Sequence, residues 1–128
     1  MTLRMRMTAI TLDCPDPEAL AAFYRRATGL APHPRSDGDF AALVFEDGLV
    51  LGFQRVDDHR APHWPAPGAS QQIHLDFDVP DLDEAESLLL AEGATKPEFQ
   101  PGGDRWRVLL DPAGHPFCLC PTRREAAG

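Results

Sequence analysis

An α+β fold of two tandem β-α-β-β-β modules, forming a curved mixed sheet around a shared cleft, is predicted by three observations on the 128-residue sequence. An alternating apolar stretch, a proline break and a helical apolar pattern follow one another near the N-terminus and again beyond residue 70. Equivalent residues of the two halves keep a near-constant offset: 65 for Leu12 and Phe77, Pro15 and Pro80, and Asp16 and Asp81, and 66 for Gly48 and Gly114, and Phe53 and Leu119. Each half also ends in two apolar runs joined by a glycine-containing turn. Neither half could by itself bury both faces of a four-stranded sheet and a helix, so the two are expected to pair.

Thr8–Cys14 alternates, with Ile10, Leu12 and Cys14 on one face, and reads as the first strand. Asp16 suits a helix N-cap and Pro17 the first helical position; Leu20, Phe23, Tyr24 and Ala27 recur at helical spacing until Gly29. A short strand is expected near residues 30–35, then a hairpin of Phe40–Phe45 and Leu49–Gln54 around Glu46-Asp47-Gly48. The second half opens with a strand at Gln72–Val79. A helix follows, carrying Leu82, Ala85, Leu88 and Leu89 and ending before Gly93. Trp106–Leu110 and Pro116–Cys120 then flank the turn Asp111-Pro112-Ala113-Gly114. These limits give one domain over residues 1–128, with module one at about 1–55, a connecting loop at about 56–70 and module two at about 71–122.

Twenty acidic against twelve basic residues leave a net charge of −8, which repels phosphate backbones and anionic bilayers, so neither nucleic acid nor a membrane is an expected partner. Residues 1–7 lack the apolar core and cleavage site of an export signal, and a cytoplasmic location is expected. Three cysteines, two of them two apart on one strand, point away from disulfides.

Alternation assigns faces. Ile73, Leu75, Phe77 and Val79 form an apolar row expected to lie under the second helix, which sends His74, Asp76 and Asp78 to the other side. Phe117 and Leu119 likewise face the helix, leaving Cys118 and Cys120 opposite; Ala9, Thr11, Gly52 and Gln54 take the matching positions in the first half. This face would line a cleft for a small organic ligand. His74 is the candidate acid/base, with Asp76 placed to orient it and favour its protonated form. A lone histidine is also often structural, and Cys118 is more readily an inert buried thiol than a nucleophile. In the stretch from Arg55 to Ser70, Trp64 between prolines offers a wall for a planar ligand, although a linker explains the segment equally. His59 and His63 have helical metal-pair spacing, but Pro62 breaks the helix they would need. Trp106 is expected to pack in the core.

The doubled plan, Cys14-Pro-Asp-Pro-Glu-Ala-Leu-Ala-Ala-Phe-Tyr24 running to Gly29, and Asp111-Pro-Ala-Gly-His-Pro-Phe117 resemble the vicinal oxygen chelate superfamily of glyoxalase I, bleomycin-resistance proteins, extradiol dioxygenases and fosfomycin-modifying transferases. Phe53-Gln-Arg-Val56, Gln71-Gln-Ile-His-Leu-Asp76 and Phe117-Cys-Leu-Cys120 look like a bacterial glyoxalase-like subgroup. The resemblance implies metal ligands on the first and last strands of each half, at Ala9, Gly52, His74 and Cys118. Among these His74 alone keeps a usual ligand identity; Ala9 and Gly52 have no donor, and Cys118 stands where a glutamate is usual. One such ligand does not hold a metal, so no cofactor is expected, with a divalent metal at His74 and Cys118 as the alternative. The resemblance also implies a homodimer.

Two functions follow. One is metal-independent binding of a small organic molecule, as in the bleomycin-resistance branch, with Trp64, Gln54, Thr11 and Cys118 as contacts. The other is a lyase, isomerase or related enzyme using His74 and Asp76. Glyoxalase I activity itself is not expected, because its chemistry relies on a metal to stabilise an enediolate.

Overall fold

In the computed structural model, which describes residues 3–122, the chain divides into two compact units, Met1–His59 and Arg60–Gly128. In the first, strand β1 (Ala9–Cys14) ends at Pro15, and Asp16 caps helix α1 (Pro17–Thr28) by accepting the Ala19 N–H at 3.2 Å. Gly29, at φ 74°, closes the helix by donating its N–H to Arg25 at 2.8 Å. The spacing of Leu20, Phe23 and Tyr24 puts all three on one face, and each is at most 2% exposed. Tyr24 stacks on Phe53 with ring centroids 5.6 Å apart, and Phe23 meets Tyr24 edge-on at 5.0 Å. Strands β2 (Ala31–Pro32), β3 (Phe40–Val44) and β4 (Val50–Arg55) complete a sheet of order β1-β4-β3-β2, in which β1 runs parallel to β4.

The second unit holds β5 (Leu75–Val79), α2 (Leu82–Ala91), β6 (Arg107–Leu110) and β7 (Pro116–Pro121), in a sheet of order β5-β7-β6 with β5 parallel to β7. The repeat read from the sequence is present in the pairing itself. Leu12 lies opposite Phe53 in one sheet, and Phe77 lies opposite Leu119 in the other. Gly48 and Gly114 both adopt φ 90° in their turns, a conformation that side chains resist. Asp81 caps α2 through the Glu84 N–H at 2.9 Å, as Asp16 caps α1.

Three expectations for the second module need correction. Its first strand begins at Leu75 rather than Gln72, and Ile73 is 72% exposed instead of lying under the helix. Leu75 pairs with Phe117, and the residue before Phe117 is Pro116, which has no N–H to extend the ladder. A fourth strand is absent among the described residues; what stands in its place is a bridge between Thr95 and Leu110. Pro97 and Pro101 interrupt that segment, and the Gln100 carboxamide substitutes for a strand backbone, accepting from the Val108 N–H and donating to the Val108 carbonyl, both at 2.9 Å. Trp106 lies just outside β6 and is half-buried, its ring laid so closely on Gly102 that a Cβ there would be 2.3 Å from it.

Helix α2 has no buried residue. Arg107 of β6 reaches it instead, with Nη1 3.0 Å from Asp83 and 2.8 Å from Glu86, while Lys96 lies 3.3 Å from Glu86. The hydrogen bond to Asp83, followed by the hydrogen bond and charge of Glu86, raises the Arg107 pKa against the opposing effect of burial. No helix among the described residues is long and apolar enough to cross a membrane.

Candidate functional site

Arg107, Leu109, Phe117 and Leu119 share the α2 side of the second sheet, because β6 and β7 pair Arg107 with Leu119 and Leu109 with Phe117. Alternation therefore turns Val108, Cys118 and Cys120 to the other side. The parallel pairing adds Asp76 opposite Cys118 and Asp78 opposite Cys120. His74 immediately precedes β5, and its Nε2 lies 3.2 Å from Asp76 Oδ1. Trp64 covers the imidazole in a near-parallel stack, 5.2 Å between centroids and 13° between planes.

This geometry fixes the histidine. With Nε2 directed at a carboxylate, the proton of the neutral ring belongs on Nε2 and the lone pair on Nδ1. Nδ1 is buried and has no hydrogen-bond partner. A buried polar atom left this way costs roughly 1–3 kcal/mol, which a ligand carrying a donor would recover. Asp76 remains largely open to solvent, whereas Cys118 is 1% exposed. Burial, then the charge of Asp76 and a hydrogen bond to it, with a further contribution from Cys120, push the Cys118 thiol up to about 12. At neutral pH it is a protonated thiol and a poor nucleophile. The Cys120 thiol is also raised, by burial and by Asp76 and Asp78.

His74, Asp76 and Cys118 each offer a ligand atom, and these atoms lie within 4.8 Å of one another, so the three could hold a metal ion. The thiol would have to lose its proton to do so, against a pKa of about 12. The first-module positions implied for metal ligands offer nothing: Ala9 and Gly52 have no donor side chain. Phe40 closes the matter at Gly52, since a Cβ there would be 2.9 Å from its ring and 3.2 Å from Thr11 Oγ1. The residues present do not fit a four-ligand metal set drawn from both modules.

Of the residues singled out in the sequence, the structure gathers His74, Asp76, Cys118 and Trp64 in the second module. Thr11 is exposed on the first sheet, and Gln54 spends its amide there on the Asp39 carbonyl at 3.2 Å. Sequence reasoning missed Phe40. A signal existed, because Phe40 pairs with Gln54 two residues beyond Gly52, and period-two alternation puts all three on one face.

Residues 9–120 match the family model described as a glyoxalase-like domain, and the chain belongs to that family. It shares the vicinal oxygen chelate fold. A glyoxalase/bleomycin resistance protein/dioxygenase family enzyme from Burkholderia phytofirmans superimposes with a TM-score of 0.65 at 20% identity, over 91% of this chain and 98% of that one. A glyoxalase-related enzyme from Fulvimarina pelagi gives 0.64 at 23%, over 93% and 89%. A lactoylglutathione lyase from Agrobacterium tumefaciens gives 0.61 at 22%, over 98% and 99%. No curated protein matches the chain in sequence.

Proposed function

We propose that this protein binds a small organic molecule at the His74–Trp64 site and does so without a catalytic metal of the family type. The observation that carries this reading is the buried Nδ1 of His74, oriented by Asp76, walled by Trp64 and lacking a partner. The ligand then presents a hydrogen-bond donor to Nδ1 and a flat or apolar body to the indole. The empty donor positions at Ala9 and Gly52 support the metal-free part of the reading. Although a lactoylglutathione lyase has the same fold, hemithioacetal isomerisation is not the expected activity. Association of two copies belongs to this reading as well. Leu3, Met5 and Met7 are 80%, 87% and 69% exposed and alternate in sequence with Arg4 and Arg6 ahead of β1.

A compound screen monitored by tryptophan fluorescence and calorimetry tests the reading. Binding is expected to survive chelator and to fall about tenfold or more in both His74→Ala and Trp64→Ala, with the circular dichroism unchanged. Binding that disappears with chelator, or is indifferent to both substitutions, contradicts it.

A second reading, acid/base catalysis, is favoured by the 3.2 Å pairing of His74 with Asp76, which leaves Nδ1 as the proton acceptor. Turnover of a screened ligand that His74→Ala abolishes while Trp64→Ala merely raises KM would establish it.

A further inference from the structure

A groove of about 740 Å³ in the first module has none of His74, Asp76, Cys118 or Trp64 among its lining residues. Its apolar surface comes from Ala9, Val50 and the Phe40 ring, and its polar rim from the loop between β2 and β3, which supplies His33 and Arg35. We propose that this groove binds a small organic carboxylate, its apolar body against Phe40 and its carboxylate between Arg35 and His33.

The loop is built to hold these groups in place. The Arg35 N–H donates to His33 Nδ1 at 3.0 Å, so the neutral imidazole carries its proton on Nε2, as a donor. Ser36 Oγ donates to the His33 carbonyl at 3.1 Å and accepts from the Ala42 N–H at 3.4 Å, tying the loop to β3. Asp37 also lines the groove, but its Oδ1 is occupied by the N–H groups of Asp39 at 2.8 Å and Phe40 at 3.0 Å. These contacts fix the loop before any ligand arrives, which lowers the ordering cost of binding.

Arg35 is the decisive residue. It has no carboxylate partner among the described residues, in a chain of net charge −8 where acidic groups outnumber basic ones. Its planar guanidinium suits two-pronged contact with a carboxylate, and the His33 N–H can supply a further bond. Gly52 contributes from below: the bare backbone lets the Phe40 ring lie across the sheet, where it serves as an apolar floor.

Titration of the full-length protein with 3-phenylpropionate, followed by NMR of the ring signals of His33 and Phe40, tests this assignment. Saturable shifts at both residues are expected. The neutral 3-phenylpropionamide should bind about tenfold more weakly, and Arg35→Gln should lose a similar factor, with Arg35→Lys intermediate. Rising salt should weaken the acid but not the amide. Absence of saturable shifts at His33 and Phe40, or equal affinities for acid and amide, overturns the proposal. So does binding reported by Trp64 and His74 alone, a result that would instead favour the organic-ligand reading of that other site.

Discussion

Helix α1 buries Pro17, Leu20, Phe23 and Tyr24, whereas helix α2 buries no residue and is tied to β6 by Arg107 through Asp83 and Glu86. On the sheet faces the order reverses. The first module offers Ala9, without a donor, and Gly52, beneath the Phe40 ring, while the second carries His74, Asp76 and Cys118 with ligand atoms within 4.8 Å of one another. The two copies of the repeat thus share backbone rules, including an aspartate cap, a parallel strand pair and a glycine turn, and differ in what side chains do with them. Apolar burial holds the first helix; the second is held by charge pairs, although the strands beneath it bury Leu109, Phe117 and Leu119.

The largest expected effect that probes this contrast is Phe53→Ala. Removing the ring under Tyr24 should cost about 3–5 kcal/mol in urea unfolding; a loss below about 1 kcal/mol would mean that the first core is looser than its burial implies. Arg107→Met should cost less, about 1–2 kcal/mol at low salt, and the difference from wild type should shrink in concentrated salt because the pairs are electrostatic. A salt-independent loss would point to packing instead.

Cys118 gives a test in pH. Its folded-state value of about 12 stands above the ordinary 9.0, so the stability gained by burying the thiol is complete below pH 9 and drains away as pH rises from about 9 towards 12. Cys118→Ala should flatten that part of the stability profile, and the native wild-type thiol should resist iodoacetamide at pH 8 until denaturant is added. Smallest and most alike should be Asp16→Ala and Asp81→Ala, at about 1 kcal/mol each, since both remove the same cap. Unequal losses would show that the repeat is not energetically equivalent at its helix starts.

Most of the first module was legible because its signals are local: alternation, Asp16, Pro17 and Gly29 each act within a few residues. The face shared by His74, Asp76 and Cys118 was also legible, since alternation along β5 and β7 needs no tertiary information beyond their pairing. The stack of Trp64 on His74 was not, because a proline-rich segment has no periodicity from which to place a ring. Nor was the Gln100 side chain standing in for a strand, which depends on a contact eight residues away in an irregular segment. The alternation of Gln72–Val79 overstates the first strand of the second module because alternation does not show where a partner ends, and here the pairing begins at Leu75 and Phe117, next to Pro116.

Elemental analysis by plasma mass spectrometry, on untagged protein purified without chelator, tests whether the first module's missing donors leave the protein without a family-type metal. Zinc, nickel, iron and manganese are all expected far below one equivalent per chain. Near-stoichiometric metal that is lost on His74→Ala would contradict it and would assign His74, Asp76 and Cys118 to a metal centre.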